Sequence, residues 1–194
     1  MENLRNDTTI ILVPLAIEEE DKKSIFNPLT DHLASIFDAS ISIVTDSLQL
    51  DSSMASFNEQ RNQLNSDKLL RWLATTIMNH VKSYEPRKTI ILGICNFDAY
   101  SPGLNFVFGQ ASLGGGVAAI YLPRLRQEFY GLGVERSTFI ERVLKEATHE
   151  VGHTFDLQHC PKRSCVMYFS NSLVDTDYKA KDFCNICRNK LHQK

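Results

Sequence analysis

The chain has 194 residues, of which 43% are hydrophobic and 23% are charged, and its formal net charge is −2. This length predicts one domain, or one domain with a small appendage, and the composition is ordinary for a soluble globular protein. Neither the composition nor the charge indicates a nucleic-acid-binding protein, and the longest apolar run, about eight residues around Ile10 to Ile17, is far too short to span a bilayer.

The amino-terminal stretch, MENLRNDTTI, has no basic start followed by an apolar core. We therefore expect no signal peptide, and we predict a cytoplasmic, monomeric protein without membrane contacts. In that compartment closely spaced cysteines more often hold a metal ion than form disulfides. Four of the five cysteines fall in the last 35 residues, which indicates a local metal site.

The first half of the chain alternates between predicted strands and helices. Apolar runs predict buried strands, and apolar residues three or four positions apart predict helices. The strands are residues 8–16, 39–44 and 88–95, and the helices are residues 28–38 and 66–81. The polar stretch 50–65 is predicted to be a loop, and 96–103 a turn. This alternation favours an α/β sheet covered by helices.

Two further strands, residues 105–111 and 117–122, are separated by three consecutive glycines at 114–116. The glycines are either a flexible hairpin connection or a place where a peptide backbone approaches the sheet closely. After a loop at 123–133, Thr138 and Glu141 fit a capping box that begins a long helix. Its predicted core face consists of Ile140, Val143, Leu144, Ala147 and Val151.

The predicted helix runs into the sequence THEVGHTFDLQHC at residues 148–160. His149 and His153 are four positions apart, so on a helix they point the same way and can bind one metal ion. His159 can join them only if the chain bends in between. Three imidazoles leave a tetrahedral Zn²⁺ one open position for water, an arrangement typical of a catalytic site. Surface histidines that bind nothing are the alternative.

A glutamate between the first two histidines completes this motif. Glu150 lies close enough to touch a water on the ion without being a ligand. Such a carboxylate can take the proton of a zinc-bound water and pass it to a leaving amine, so the motif predicts peptide-bond hydrolysis with Glu150 as the general base.

The cysteines that follow form a second pattern, C-x4-C and C-x2-C, separated by eighteen residues. Two short-loop pairs of this kind predict a closed, structural zinc site, and two disulfides are the alternative. The predicted ligands are Cys160, Cys165, Cys184 and Cys187. Cys95 lies in a predicted strand and is interpreted as a core thiol. The basic carboxy-terminal tail is interpreted as a solvated face, with nucleic-acid binding as a weaker possibility.

The motif HEVGHTFDLQHC, together with Cys165, Met167 and the Cys184–Cys187 pair, resembles the archaemetzincins, a branch of the metzincin zinc peptidases. The resemblance implies that His149, His153 and His159 are the catalytic zinc ligands and that Glu150 is the general base. It further implies that Met167 is the methionine of the turn beneath the zinc and that the four cysteines hold a structural zinc.

The resemblance also implies an α/β fold: a metzincin-like compact domain in which a twisted mixed sheet carries an active-site helix and a small, zinc-stapled C-terminal part. The expected division is an N-terminal α/β subdomain at 1–155 and a C-terminal zinc-binding subdomain at 156–194. In that fold an edge strand lines the cleft and pairs with extended substrate. Residues 105–111 and 117–122 are the two candidates for this strand.

The chain departs from the family pattern at Asp156, where the family has a glycine that ends the helix in a sharp turn. Glycine adopts positive φ freely, and aspartate tolerates it at a cost on the order of 1 kcal/mol. We therefore predict that the turn survives and that His159 reaches the zinc. Other metzincins carry a tyrosine two residues after the methionine, where this chain has Phe169, and Tyr168 stands one place earlier.

The sequence thus predicts a zinc-dependent metallopeptidase that acts on peptides or unfolded protein segments and binds two zinc ions, one catalytic and one structural. The alternative is a zinc-binding interaction module whose catalytic site is vestigial or latent. Retention of Glu150 argues against that alternative, because metal binding alone does not need this carboxylate.

Overall fold

The structure is a computed structural model that describes residues 8–44, 57–80, 85 and 88–193. The helices within these residues are α1 (Glu19–Phe37), α2 (Ser66–His80), α3 (Arg136–Thr154), α4 (Leu173–Tyr178) and α5 (Asn185–His192). The strands are β1 (Thr9–Leu15), β2 (Ser40–Ile43), β3 (Phe57–Asn58), β4 (Gln63–Asn65), β5 (Thr89–Cys95), β6 (Ala99–Tyr100), β7 (Gly109–Ala111) and β8 (Val117–Tyr121).

A mixed five-stranded sheet of order β2-β1-β5-β8-β7 forms the centre of the protein. The first four strands in this order are parallel, and β7 pairs with β8 in the antiparallel sense at one edge. A second sheet has the order β3-β4-β6. The predicted α/β fold with a mixed sheet is confirmed.

Helices cover both faces of the main sheet, which explains why its inner strands are apolar throughout. Side chains on one face of the sheet, such as Ile10 and Leu92, pack with α1 and α3. Side chains on the opposite face, such as Ile11 and Ile91, pack with α2. The alternation of strand side chains between the two faces therefore divides the core into two layers.

Helix α1 begins nine residues earlier than the sequence predicts, at Glu19 instead of Pro28. The prediction rested on apolar residues three or four positions apart from Leu29 onwards, and Pro28 lies inside the helix, where a proline removes one backbone hydrogen bond. Two features favour the longer helix. Three acidic residues occupy its first turn, where the helix dipole favours negative charge, and Ile25 and Phe26 are buried before the proline is reached.

Several predicted loops contain short strands. Within the loop predicted at 50–65, residues 50–56 lie outside the described residues, while β3 and β4 form a hairpin. The turn predicted at 96–103 contains β6, and the strand predicted at 105–111 is reduced to β7. The loop at 123–133 contains two 3₁₀ turns. Strands β3, β4, β6 and β7 have only two or three residues each, which is too few for a periodic pattern to be recognised.

Helix α3 begins at Arg136, and the capping box predicted at Thr138 and Glu141 is wrong. The cap is Glu135, whose carboxylate accepts a hydrogen bond from the Ser137 N–H. Glu141 instead pairs with Lys181 at 3.2 Å. The predicted core face of α3 is buried except for Ile140, which is partly exposed.

The segment after α3 packs against the rest of the core. Phe37 of α1 stacks on Phe155, with ring centroids 5.3 Å apart, and meets Phe183 edge-on at 5.7 Å. The division into subdomains at residue 155 stays a prediction. None of the helices within the described residues combines the length and the apolar character that a membrane-spanning segment needs.

Candidate active site

Three histidines converge at the carboxyl end of α3. His149 and His153 lie one helical turn apart, and their Nε2 atoms are 3.1 Å from each other. The ring of His159, which follows the helix, lies 4.8 Å from that of His153 and 5.3 Å from that of His149, measured between centroids. One ligand atom from each of the three lies within 4.8 Å of the others, so the cluster could hold a metal ion.

Backbone carbonyls fix the orientation of two of these rings. His149 Nδ1 lies 2.8 Å from the Val166 carbonyl oxygen, and His153 Nδ1 lies 2.6 Å from that of Leu157. Because a carbonyl only accepts, each Nδ1 carries the proton and donates it, and each Nε2 keeps a lone pair. Two lone pairs at this separation repel unless a cation lies between them. A tetrahedral zinc with Zn–N bonds of about 2.1 Å needs nitrogens about 3.4 Å apart, so the donors fit zinc.

The protonation of the three histidines agrees with a ligand role. Burial lowers the pKa of His149 well below its usual value, and Lys179 and His153 lower it further. Burial also lowers the pKa values of His153 and His159. All three imidazoles are therefore neutral at neutral pH, the form that binds metals.

The turn that brings in His159 is built on Asp156, which has φ = 62°. Its N–H donates to the His153 carbonyl at 2.8 Å, and the Leu157 N–H donates to the Gly152 carbonyl at 3.2 Å. These two bonds define a Schellman motif, a left-handed end to a helix that usually requires glycine. The predicted positive φ of Asp156 is confirmed, and the chain after it turns back towards the helix.

The triple-glycine loop between β7 and β8 packs against this turn. Gly114, at φ = 61°, donates its N–H to the His153 carbonyl at 3.0 Å. A Cβ added at Gly114 would lie 3.7 Å from the Asp156 Cβ. In the structure the glycine loop thus contacts the protein's own helix end and supports the bend towards His159.

Glu150 is buried beside the histidines and close to strand β7. A Cβ added at Gly109 would lie only 2.5 Å from the Glu150 Cγ and Oε1 atoms, so only glycine allows the carboxylate to lie there. Burial raises the pKa of Glu150 well above its usual value, and the nearby Glu146 raises it further, while Lys179 opposes the shift.

Met167 lies beneath the histidine helix and is fully buried. A Cβ added at Gly152 would lie 2.6 Å from the Met167 sulfur, so the glycine between the two helix histidines admits this side chain. The preceding residue, Val166, supplies the carbonyl that orients His149. The aromatic ring that packs against His159 belongs to Phe169, at 4.9 Å between centroids.

The four predicted cysteine ligands also converge. One sulfur from each of Cys160, Cys165, Cys184 and Cys187 lies within 4.8 Å of the others, and all are free thiols. Burial raises the pKa of Cys184, but hydrogen bonds from the Cys187 backbone and the neighbouring thiols outweigh it and lower the value to about 7. Burial raises the pKa values of Cys165 and Cys187, so metal binding at these two thiols must displace their protons.

The histidines open onto a cleft of about 300 Å³ that is bordered by β7 and Phe169. Of the two candidate substrate strands, β7 lies at the edge of the sheet, whereas β8 pairs on both sides with β5 and β7. The candidate at 117–122 is therefore wrong, because an interior strand has no free edge to offer a peptide.

A family model described as peptidase family M54 matches residues 22–193. The chain belongs to this family. The M54 peptidase is similar to the archaemetzincin of Pyrococcus furiosus, with 37% identity over 185 residues that cover 95% of this chain and 93% of that protein. It is similar to the archaemetzincin of Sulfolobus acidocaldarius, with 45% identity over 136 residues that cover 70% of this chain and 72% of that protein.

Solved structures resemble this M54 peptidase along most of its length. The crystal structure of archaemetzincin from Methanopyrus kandleri has a TM-score of 0.80 and 31% identity, covering 100% of this chain and 98% of that one. A zinc-dependent peptidase from Methanocorpusculum labreanum has a TM-score of 0.82 and 30% identity, covering 94% of this chain and 99% of that one. The M54 peptidase is thus a zinc metallopeptidase, as the sequence predicts.

An ion pair next to the histidines of this M54 peptidase was not predicted from the sequence. Glu146, one turn before Glu150, lies 2.9 Å from Lys179, and both side chains are buried. Glu146 could have been noticed in the sequence, because it is a glutamate on the motif helix three positions before His149. Its partner Lys179 is 33 residues away in sequence, so local spacing did not predict the pair. Gly109 was also missed, although a glycine inside a predicted strand often marks a close approach.

Proposed function

We propose that this M54 peptidase hydrolyses peptide bonds at the three-histidine site, with His149, His153 and His159 as zinc ligands and Glu150 as the general base. The convergence of two lone-pair Nε2 atoms at 3.1 Å, beside a buried carboxylate, is the observation that carries the proposal. When bound, zinc polarises the substrate carbonyl and lowers the pKa of water.

Glu150 supplies the proton transfers. It takes a proton from the attacking water and delivers it to the nitrogen of the leaving amine, which lets the carbon–nitrogen bond break. Gly109 on one side and α3 on the other restrict where the carboxylate can lie. A carboxylate held in place needs less reorganisation during the reaction.

Strand β7 is the proposed binding edge for an extended peptide substrate. Its outer edge borders the cleft over the histidines, while its inner edge pairs with β8. A peptide added at that edge would place successive carbonyls along the cleft through backbone hydrogen bonds, which do not depend on the substrate's sequence. This geometry favours peptides and unfolded protein segments as substrates.

The cysteine cluster is proposed to hold a second, structural zinc ion. Four thiolates leave no open position, so this ion would act on the fold rather than on substrate. The Cys160 N–H donates to the Met167 carbonyl at 2.9 Å, which links the cluster to the residue beneath the histidine helix. A zinc held there would stabilise the segment that orients His149.

Metal content provides the first test. We expect two zinc ions per chain in the purified protein and one in His149→Ala, because the cysteine cluster does not depend on that imidazole. Atomic emission on both proteins, with circular dichroism to check folding, measures this directly. Two ions retained in His149→Ala would contradict the assignment of His149. Stoichiometric metal and a stable fold without turnover on any peptide pool would favour the interaction-module alternative.

The close approach at Gly109 provides a second test. Gly109→Ala is expected to lower kcat/KM by about 10- to 100-fold, because the new methyl group displaces the Glu150 carboxylate. Gly133→Ala is the matched control, since a Cβ at Gly133 meets no atom of the described residues within 4 Å. Peptide hydrolysis is measured for both variants at equal zinc content. Equal activity in Gly109→Ala and wild type would show that Glu150 needs no such clearance.

A further inference from the structure

Strand β7 consists of only three residues, Gly109–Ala111, and three consecutive glycines follow it at 114–116. A short strand with glycine in and after it has little rigidity of its own, because glycine has more backbone freedom than any other residue. Yet this strand borders the cleft over the histidines, and Gly109 lies close to Glu150. The position of β7 therefore depends on the contacts that hold it.

The hydrogen bonds between β7 and β8 indicate which backbone groups face the outer edge. The Ser112 N–H donates to the Val117 carbonyl at 2.9 Å, so the backbone of Ser112 faces β8. Backbone groups alternate in direction along an antiparallel strand, so Gln110 also faces β8. The N–H and C=O groups of Gly109 and Ala111 therefore point to the outer edge, which borders the cleft.

The side chain of Gln110 points away from the active-site helix. Its partner on β8, Ala119, belongs to the core layer that packs with α2, so Gln110 lies on the α2 face of the sheet. The Gln110 Nε2 donates to the Asp67 Oδ1 at 2.6 Å, and the Ser101 hydroxyl donates to the same oxygen at 3.4 Å. The Gln110 Oε1 is buried without a partner, so the bond to Asp67 is the side chain's only hydrogen bond among the described residues.

Asp67 lies in the first turn of α2, and this helix end is itself fixed. The Asn65 side chain accepts a hydrogen bond from the Lys68 N–H at 3.1 Å, as a helix cap does. The Ser66 and Tyr121 hydroxyls lie 2.5 Å apart, and both residues are fully buried. A carboxylate on a fixed helix end is a strong acceptor in a constant place, so it can restrain the strand that bonds to it.

The space behind the end of β7 is not closely packed. A cavity of about 330 Å³ lies there between α2 and the strand, bordered by Leu70, Ala74, Ala111 and Ser112. Close packing cannot hold a strand where a cavity takes the place of side chains. The hydrogen bond from Gln110 to Asp67, beside this cavity, is therefore a main restraint on the α2 face of β7.

We propose that Asp67 is a positioning residue for peptide binding, which acts through Gln110 to hold β7 where its outer edge can pair with an extended substrate. The inference rests on the proposed function, because it takes β7 as the binding edge. A strand that is already in place does not have to be ordered when the peptide binds, which lowers the cost of binding. Without Asp67, the peptides that pair with β7 bind more weakly.

Two zinc-binding ligands of different length test the proposal. Acetohydroxamate reaches only the metal, whereas a tetrapeptide hydroxamate also extends along β7. Both are titrated calorimetrically into zinc-loaded wild type and Asp67→Ala. We expect the variant to bind the tetrapeptide compound about tenfold more weakly and acetohydroxamate within a factor of about two. An equal loss for both ligands would assign Asp67 to the stability of the fold alone, and that result, or no loss for either ligand, would overturn the proposal.

Further variants separate the hydrogen bond from the charge of Asp67, which also favours the start of α2. Asp67→Asn keeps an oxygen that accepts from Gln110, so it should retain the tetrapeptide affinity within about threefold. Gln110→Leu should match Asp67→Ala, and the double variant should lose no more than either single one, because all three lack the same bond. Glu20→Ala, an exposed acid in the first turn of α1, is the matched control. Additive losses, or a full loss in Asp67→Asn, would refute the role of the bond.

Peptide kinetics distinguish a failure of this proposal from a failure of the proposed function. In Asp67→Ala the KM for an octapeptide is expected to rise about tenfold while kcat stays within about threefold, since Asp67 lies across the sheet from the histidines. If no protein cleaves the peptide but Asp67→Ala selectively loses affinity for the tetrapeptide hydroxamate, the peptidase mechanism fails and the positioning role stands. If peptides are cleaved and Asp67→Ala changes neither KM nor that affinity, the positioning role fails and the peptidase mechanism stands.

Discussion

Replacing Glu150 with glutamine is expected to lower kcat/KM for peptide hydrolysis by about 10²- to 10⁴-fold, because the amide cannot take a proton from water. Glutamine has nearly the same shape as glutamate, so it fits the space that Gly109 leaves free. Both metal sites should remain filled, since Glu150 is not a ligand. The measurement is hydrolysis of a peptide pool by zinc-loaded wild type and variant, with metal content determined on the same samples.

Glu141→Gln is the matched control for this variant. Glu141 lies on the same helix, is about half exposed at its side chain, and pairs with Lys181 at the surface. Its replacement should leave hydrolysis within a factor of about two, since an exposed ion pair contributes little. If Glu150→Gln retained wild-type turnover, another group would have to accept the proton, and the mechanism proposed for this site would be discarded.

Replacing Cys187 with serine is expected to lower the midpoint of thermal unfolding by more than about 10 °C and to remove one zinc ion. Structural zinc sites contribute about 10–16 kcal/mol of binding free energy in zinc-finger peptides, and this energy stabilises the folded chain. For a chain of this length, each 1 kcal/mol shifts the midpoint by about 2–4 °C. Loss of even part of the zinc-binding free energy is therefore expected to lower the midpoint of thermal unfolding by many degrees.

The same variant should also lose peptide hydrolysis, because the cysteine cluster adjoins the segment that positions the histidines. Val166 orients His149, and Met167 packs under Gly152. Cys95→Ala serves as the control: this thiol is buried in β5 and lies outside the four-cysteine cluster. Thermal unfolding and zinc content are measured for both variants. An unchanged midpoint with two ions bound in Cys187→Ser would show that the cluster is not a structural metal site.

The features that the sequence predicted well depend on local geometry. His149 and His153 are four residues apart on a helix, and this spacing alone directs both rings to one side. The positive φ of Asp156 was predicted from the resemblance, because the archaemetzincins have a glycine at this turn and aspartate tolerates the same conformation. The two cysteine pairs follow the same principle, since each pair spans only a few residues. Such patterns need little knowledge of the rest of the chain.

The start of α1 shows where local rules were insufficient. The apolar spacing predicted a helix start at residue 28, yet the helix extends back to Glu19. Burial of Ile25 and Phe26 against the sheet and a carboxylate at Asp21 that pairs with Arg126 at 2.7 Å favour the earlier start. These partners are distant in sequence, so the local pattern carried no information about them.

The residues alone thus predicted the α/β class, the histidine and cysteine clusters that could hold metal ions, and the glutamate beside the first cluster. Three features required the folded chain: β7 at the sheet edge, Gly109 against Glu150, and the Glu146–Lys179 pair one helical turn before Glu150. The physical reason is the range of the interactions. Helical spacing and short ligand loops act over a few residues, whereas strand order and buried ion pairs join segments tens of residues apart and depend on how all the elements pack.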